Sequence, residues 1–474
     1  MVVAKHFHIE RISRDDLMAL AVDGTAAPMQ VGAVLTLDTP NLNASRLKAE
    51  IGRRVPAVPR LRQCSVRITF GLGRPYWVDS PDFRLADHVT IRPCPAGETV
   101  LDVASMLLTT PLPSDRPLWA ATIVTDVGEG TAALIIVFHH VLGDGIAGLA
   151  ILAGLASDVG VVTEMTEVTR ATDDTQPPAT TGARTSTSFS TSDSTSTFPR
   201  RRPTPTALLL DTARDHLRSI ARLPMELVRF AQGVAQLAPS LFAGRVAASS
   251  LNRPTGRRRR FATVDCDLTE VIDAAHAAGA TVNDVVLAAI TGALRRLMWE
   301  RGEPMDSFVI SVPFSSRAVA ASTTELGNHS GVIPLRLPAT GAPSERVREV
   351  ARITRSAKRS RRGASTAILS PLFLQLARLG FFQRFIDNQR LINTFATNMK
   401  GPATKLSIGG IPISGVVPLA VTSGNCTVSF AVLSYAGALT VTLIADPETC
   451  ADLADLAAFL REELHLSLSA PAGY

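Results

Sequence analysis

The chain has 474 residues, of which 46% are hydrophobic and 19% are charged. That length exceeds the size at which one hydrophobic core stops growing, so two domains are predicted. The net charge of +6 and pI of about 9.3 are compatible with a phosphorylated cosubstrate, an anionic membrane surface or nucleic acid. There is no uncharged apolar run of about 18 residues and no secretory apolar region near the N-terminus, so a cytoplasmic protein without a transmembrane helix is predicted.

The first informative pattern is the apolar run Ala132–Phe138, which is rich in Ile and bounded by glycines. It predicts a buried strand that leads to His139 and His140, with Asp144 and Gly145 in the loop that follows. Imidazole takes up and returns a proton near neutral pH, because its unperturbed pKa is roughly 6.5. A histidine at this strand end is therefore a candidate general base.

Other interpretations of this cluster stay open. The two histidines could be a structural pair, and Asp144 could simply cap a helix that starts at Ile146, since Asp is a favoured N-cap residue. Two His and one Asp could also bind zinc or iron. Adjacent histidines on a strand point to opposite faces, however, so no metal site is predicted here.

A change in composition predicts the division of the chain. Residues 164–206 are dominated by Ser, Thr, Pro and charged residues, which cannot repay the entropy of ordering. They are predicted to be a disordered linker between an N-terminal half, 1–163, and a C-terminal half, 207–474. Five widely spaced cysteines predict neither a disulfide framework nor a zinc ribbon.

Three helical patterns follow the linker. Leu208–Phe230 is amphipathic, and Val285–Met298 follows a Thr-x-x-Asp pattern that is typical of a capping box. Ile368–Phe385 has a wide aromatic and aliphatic face beside the basic run 355–362, which suits either the core or a lipid interface. A second basic run spans 257–260. These runs could bind phosphates or be solvated, and no nucleic-acid partner is predicted because no zinc-finger or RNA-binding signature accompanies them.

Motifs at three places resemble a known family. The residues His139, His140, Asp144 and Gly145 resemble the HHxxxDG signature of the CoA-dependent acyltransferase superfamily, which includes chloramphenicol acetyltransferases and peptide-synthetase condensation domains. Pro117-Leu118-Trp119 resembles the PLW motif of the bacterial wax ester synthase/diacylglycerol acyltransferase family, and Asn283-Asp284 resembles its ND motif. Weaker similarities cover almost the whole chain, and they include Pro28-Met29, Gly73–Val89, Gly327-Asn328, Asn398, Gly401-Pro402 and Leu433–Gly437. The sequence departs from the family at Ala19 and Lys400, which leaves the acyl chain length open.

The resemblance implies a fold and a reaction. The fold is α/β, with two chloramphenicol acetyltransferase-like halves, each a mixed sheet with helices, and a tunnel between them. The reaction is acyl transfer from acyl-CoA, as cosubstrate, to the hydroxyl of diacylglycerol, with no metal or other cofactor. Wax ester synthesis on a long-chain alcohol is the first alternative, and a polyketide diol or sugar is another acceptor. The non-enzymatic alternative is a lipid-droplet-binding paralogue.

The same resemblance implies roles for single residues. His140 would be the general base, His139 would support the loop, and Asp144 would pair with an arginine, for which Arg317 is the candidate. Asn283 would support the active site and Asp284 the helix. Pro117, Leu118 and Trp119 would shape substrate access, although a turn and a core aromatic explain them equally well. Because both substrates are lipidic, peripheral contact with a membrane or lipid inclusion is predicted.

Overall fold

The computed structural model describes residues 9–13, 16–17, 19–20, 23, 28–67, 73–128, 130–156, 198–218, 220–221, 225, 228, 246–315, 330–360, 381–420, 422 and 424–469. The strands are Gln30–Asp38 (β1), Gln63–Val66 (β2), Tyr76–Asp79 (β3), Val89–Pro93 (β4), Trp119–Gly128 (β5), Thr131–His139 (β6), Arg260–Asp267 (β7), Ser307–Ser315 (β8), Ser330–Pro338 (β9), Thr394–Lys400 (β10), Ser407–Ile408 (β11), Ile411–Leu419 (β12), Val428–Tyr435 (β13) and Ala438–Ala445 (β14). The helices are Ala44–Arg54 (α1), Val100–Thr109 (α2), Gly145–Leu155 (α3), Leu268–Ala277 (α4), Val282–Glu300 (α5), Pro343–Ser360 (α6), Phe382–Asp387 (α7) and Leu453–Leu468 (α8). Residues 205–218 are also helical.

In this part of the chain the strands form two six-stranded sheets and one two-stranded sheet. The first sheet has the order β11-β12-β1-β6-β5-β4, and the second has the order β7-β14-β13-β10-β8-β9. Both are mixed: β4 runs parallel to β5, and β10 runs parallel to both β8 and β13, while the other pairs are antiparallel. The predicted class, an α/β protein of two mixed sheets with helices, is confirmed.

The first sheet contains strands from both ends of the chain. β12 pairs antiparallel with β1, from Gly32 opposite Leu419 to Leu37 opposite Ile413. A core cluster also combines the two sheets, with Ile135 and Val137 of β6 packed in one group with Ala431 and Ile444. The two halves are therefore joined by a shared sheet and a shared core.

The local patterns that predicted individual elements agree with the structure. The run Ala132–Phe138 lies inside β6, which is buried along most of its length because alternate side chains pack into core clusters on both faces of the sheet. The helix predicted from Val285 is α5, whose N-cap Thr281 forms the predicted capping box with Asp284. No single described helix is long and apolar enough to span a bilayer, and only α4 and α5 together, bent by 93°, reach that length and composition.

The end of the predicted linker contacts the first half. Asp79 accepts hydrogen bonds from the backbone nitrogen of Arg200 at 2.9 Å and from its Nη2 at 2.8 Å. The Arg62 guanidinium lies over the ring of Phe198 at 3.9 Å. Residues 157–197 lie outside the described residues, and the boundaries 1–163 and 207–474 stay a prediction.

Candidate active site

The motif histidines lie at the C-terminal end of β6. The amide of His139 donates to the carbonyl of Leu118 at 2.9 Å, and the amide of His140 donates to the carbonyl of Met29 at 2.8 Å. Each histidine backbone is thus fixed by a different neighbouring segment. His139 is buried and His140, the first residue of a 3₁₀ turn, is half-buried.

The ring of His139 is held from both sides. Its Nδ1 accepts a hydrogen bond from the backbone N–H of Val141 at 3.0 Å, which requires that this nitrogen carry no proton. Its Nε2 lies 3.2 Å from Oδ1 of Asp23. Both ring nitrogens of His139 therefore lie against protein groups.

Asp23 is a residue that no motif in the sequence indicated. Burial raises the pKa of its carboxyl, but the neighbouring His139 ring and the amide of Met29 outweigh burial and lower the pKa below the usual 3.8. The Met29 amide donates to Asp23 Oδ1 at 3.1 Å. Because the Met29 carbonyl also holds His140, the segment around Asp23 and Met29 braces both histidines. The weak Pro28-Met29 similarity was the only sequence signal near it.

Asp144 caps the helix that follows the motif. Its Oδ1 accepts from the amide of Ala147 at 3.1 Å, so the capping interpretation is confirmed. Gly145, the first residue of α3, faces Met399 of β10, and a Cβ on this glycine would overlap the Met399 sulfur. The two halves therefore approach each other closely at this glycine. Arg317, the predicted partner of Asp144, lies outside the described residues.

Asn283 and Asp284 have separate partners. Asp284 is buried, its Oδ2 accepts from the Thr281 amide at 2.9 Å, and its Oδ1 accepts from the Thr354 hydroxyl at 2.7 Å. It therefore ties the start of α5 to α6. Asn283 Oδ1 instead accepts from Nδ2 of Asn398 at 3.2 Å. Asn398 and Met399 are adjacent on β10, so their side chains lie on opposite faces of the strand. The ND motif contacts Asn398 through Asn283, and the HHxxxDG loop contacts Met399 through Gly145.

Pro117, Leu118 and Trp119 hold the strand beside the histidines. Trp119 is buried, its Nε1 donates to the carbonyl of Leu61 at 2.8 Å, and it stacks on His88 with ring centroids 4.7 Å apart. Burial lowers the pKa of His88, and its Nδ1 donates to the Trp119 carbonyl at 2.8 Å. Because the Leu118 carbonyl receives the His139 amide, this motif positions β6 and its histidines.

The basic runs are only partly solvated. Arg259 is buried and donates to backbone carbonyls that include Thr422, while Arg258 pairs with Glu448 at 2.8 Å. Arg355 donates to the carbonyl of Ala351 at 3.1 Å. Arg359 is exposed, and residues 361–380, with most of the predicted helix Ile368–Phe385, lie outside the described residues.

A small apolar cavity lies between the first sheet and α3. Residues of both halves line it, and the one polar lining group, the Tyr435 hydroxyl, donates to the carbonyl of Ile413 at 3.0 Å and accepts from the Leu406 amide. The other lining side chains are apolar, and they are Leu35, Leu149, Leu152, Pro402, Val416 and Leu433. The cavity therefore offers an environment for hydrocarbon and none for charge.

This geometry places two histidines at a strand end on a two-sheet α/β scaffold, with an apolar region behind the motif helix. Residues 12–286 match the wax ester synthase/diacylglycerol acyltransferase catalytic domain, and residues 326–466 match the C-terminal domain of the same family. The chain belongs to the wax ester synthase/diacylglycerol acyltransferase family and is an O-acyltransferase.

Individual relatives are similar to this chain along nearly its full length. A putative diacylglycerol O-acyltransferase of Mycobacterium bovis and the probable diacylglycerol O-acyltransferase tgs1 of Mycobacterium tuberculosis are each 28% identical over 462 residues, covering 95% of this chain and 93% of theirs. A wax ester synthase/diacylglycerol acyltransferase from Marinobacter aquaeolei VT8 has a similar structure, with a TM-score of 0.66 at 20% identity, over 98% of this chain and 100% of that chain. The starter condensation domain of rhizomide synthetase, in complex with C8-CoA, is similar with a TM-score of 0.60 at 15% identity, over 98% of this chain and 95% of that one.

Proposed function

We propose that this acyltransferase moves a long-chain acyl group from acyl-CoA to the hydroxyl of diacylglycerol and forms triacylglycerol. The family membership supports acyl transfer to oxygen, and the names of the mycobacterial relatives support diacylglycerol as the acceptor. The C8-CoA bound to a domain of similar fold supports acyl-CoA as the donor. No metal or further cofactor takes part in this proposal.

The environment of His139 is the observation that supports His140 as the base. The Nδ1 lone pair of His139 already accepts from the Val141 amide, and its Nε2 lies 3.2 Å from Asp23 Oδ1. His140 is the remaining imidazole of the pair, and it is half-buried at the strand end. It takes the proton of the acceptor hydroxyl while that oxygen attacks the thioester carbonyl. The carbon–sulfur bond then breaks, and the imidazolium returns the proton to the CoA thiolate.

The surrounding residues position this step. His139 and the Leu118 carbonyl fix the strand end, and Asp144 fixes the start of α3. Asn283, held by Asn398, is a positioning residue near the meeting point of the two halves.

The acceptor is tested directly with the purified protein and radiolabelled palmitoyl-CoA. Three reactions run in parallel, with diacylglycerol, with hexadecanol and with no acceptor. We expect the label in triacylglycerol. Label that appears only in the hexadecanol reaction would make the protein a wax ester synthase, which the similarity to the Marinobacter enzyme keeps as the second candidate. Label that is released as free palmitate in all three would contradict both.

A further inference from the structure

The helical segment 205–218 contacts the first half through its acidic side. Asp211 Oδ2 accepts from Nε of Arg11 at 2.7 Å, and Asp215 Oδ1 accepts from Nη2 of Arg74 at 3.3 Å. Thr212, between them on the same face, is buried and accepts from Nη2 of Arg11 at 2.8 Å. This helix is therefore anchored by charge and not by apolar packing.

The opposite face of the same segment is apolar and exposed to solvent. Leu210 and Leu217, two helical turns apart, are 60% and 66% exposed. Leu209, Ile220, Met225 and Val228 are each more than half exposed along the same stretch. Of the fourteen large hydrophobic residues that are exposed in the described part of the chain, these six fall within twenty positions. A helix on the surface of a globular protein normally turns its apolar side toward the core. In this helix the apolar side faces solvent instead.

Positive charge borders this apolar face. Arg214 and Arg218, one turn apart, are exposed beside it, and Arg201 and Arg202 are exposed just before the helix. The acids Asp211 and Asp215 are turned inward and paired. We call the outward side of the described residues 209–218, 220, 225 and 228 the 209–228 face. It combines hydrocarbon with cationic groups.

We propose that the 209–228 face docks onto an anionic phospholipid membrane. The leucines and Ile220 would enter the boundary between headgroups and acyl chains, and Arg214 and Arg218 would contact lipid phosphates, as in helices that lie in the plane of an interface. A second copy of the chain fits less well. A two-fold contact through this face would bring the same arginines toward each other, and the acids that could neutralise them are engaged with Arg11 and Arg74. The inference goes beyond the proposed reaction and does not depend on the acceptor.

The first test is co-sedimentation of the full chain with vesicles of phosphatidylglycerol mixed with phosphatidylcholine, and with phosphatidylcholine alone. Wild type should bind the anionic vesicles, and less so as salt rises. The double variant Leu210→Ser/Leu217→Ser should lose at least about tenfold in the partition coefficient, because two apolar side chains no longer enter the lipid. The matched control is Leu466→Ser, which changes a leucine that is 50% exposed on α8 and should leave binding at the wild-type level.

A second pair of variants separates charge from apolar insertion. Arg214→Ser/Arg218→Ser should weaken binding to anionic vesicles and reduce its salt dependence. Leu217→Trp should be quenched by brominated lipids, whereas Leu466→Trp should not be, and this measurement stands even if the serine variants unfold. Wild-type partitioning by Leu210→Ser/Leu217→Ser, or no difference in quenching, would overturn the proposal. A change in oligomeric state without a change in vesicle binding would assign the face to a second copy instead.

Discussion

His139 and His140 are adjacent, but their backbones and rings are held by different parts of the molecule. The His139 ring is enclosed by the Val141 amide and Asp23, and the His140 amide is fixed by the Met29 carbonyl. His139 is the last residue of β6 and His140 is the first residue of the 3₁₀ turn, so the two belong to different elements. His139 therefore holds the loop, and His140 is the proposed general base.

The base assignment is tested by replacing each histidine separately. His140→Ala should lower kcat by about 10²- to 10⁴-fold, the usual range for loss of a general base. His139→Ala should be milder, because it removes an anchor of the loop and no reacting group. Initial rates with palmitoyl-CoA and diacylglycerol measure both, and thermal unfolding checks that each variant is folded. A folded His140→Ala enzyme with near wild-type turnover would exclude His140 as the base.

Asp79 makes a pH-dependent contribution to stability. Burial raises the pKa of its carboxyl, but hydrogen bonds from Arg200 and Gln63 outweigh burial and lower it below 3.8. A lowered carboxyl pKa contributes stability that is present above the unfolded-state value and is lost as the pH falls toward the folded-state pKa. Asp79→Asn should therefore cost on the order of 1–3 kcal/mol at pH 7.

The sign of this effect is measured by urea unfolding at several pH values. The difference in unfolding free energy between wild type and Asp79→Asn should be constant above pH 5 or so and shrink as the pH falls below about 3.8. Arg200→Gln removes the guanidinium that donates to Asp79. The difference in unfolding free energy between wild type and this variant should also shrink as the pH falls below about 3.8. A difference that grows on acidification would contradict the assignment.

Some of these residues could be predicted and others could not. The motif residues and the Thr281–Asp284 capping box are local patterns, so the sequence indicates them directly. Asp23 and Met399 reach the motif through the fold, from positions far from it in the chain, and the weak similarities near them at Pro28-Met29 and Asn398 do not indicate this contact. A contact between distant segments has no local signature in one sequence.

At the scale of elements, α5 shows how a helix can accommodate a buried charge pair. Arg346 and Glu463, both buried, form an ion pair against this helix, and Arg346 Nε donates to the carbonyl of Ala288 at 2.9 Å. A Cβ at Gly292 would overlap the Glu463 carboxylate. The glycine is therefore required by the approach of α6 and α8 to α5.

Gly292→Ala should accordingly destabilise the protein. Alanine is better than glycine in a helix by about 1 kcal/mol, but displacing a buried ion pair costs about 3–5 kcal/mol, so a net loss of at least about 2 kcal/mol is expected. Chemical denaturation measures it. In an Arg346→Ala/Glu463→Ala background the same substitution should become neutral or stabilising, because both obstructing groups, the Glu463 carboxylate and the Arg346 guanidinium, are gone. A loss of equal size in both backgrounds would show that the ion pair is not the cause.

The orientation of the 205–218 helix could not be predicted from its sequence. Its period of apolar residues indicates an amphipathic helix, and the expected place for the apolar side is the core. In the structure the apolar side is exposed to solvent instead, because Arg11 and Arg74 of the first half pair with Asp211 and Asp215 on the other side of the helix. Periodicity gives the two faces of a helix, but only the partners determine which face is turned to solvent.

At the scale of the molecule, the two halves depend on each other. Strands β11 and β12 come from the C-terminal half but pair in the sheet of the first half. The composition indicates two units and a boundary between them, but strand pairing over almost 400 residues, such as Gly32 with Leu419, is invisible in a linear pattern. The shared cluster of Ile135, Val137, Ala431 and Ile444 strengthens this connection. A protease cut within 157–197 should therefore leave the two fragments associated, which gel filtration after limited proteolysis would show.

The fragment 1–221 by itself should not form a stable monomer. It retains β1, β4, β5 and β6 but lacks β12, so the edge of β1 would be open to pairing with other chains. We expect this fragment to aggregate when expressed alone and to be soluble when co-expressed with 222–474. Joining residues 405–420 to its end through a flexible linker should restore solubility, because the missing strands are then supplied in the same chain, whereas a scrambled version of that segment should not. A soluble, cooperatively unfolding monomer of 1–221 without any added strand would contradict this prediction. It would show that the first half folds independently and does not need β12 for its stability.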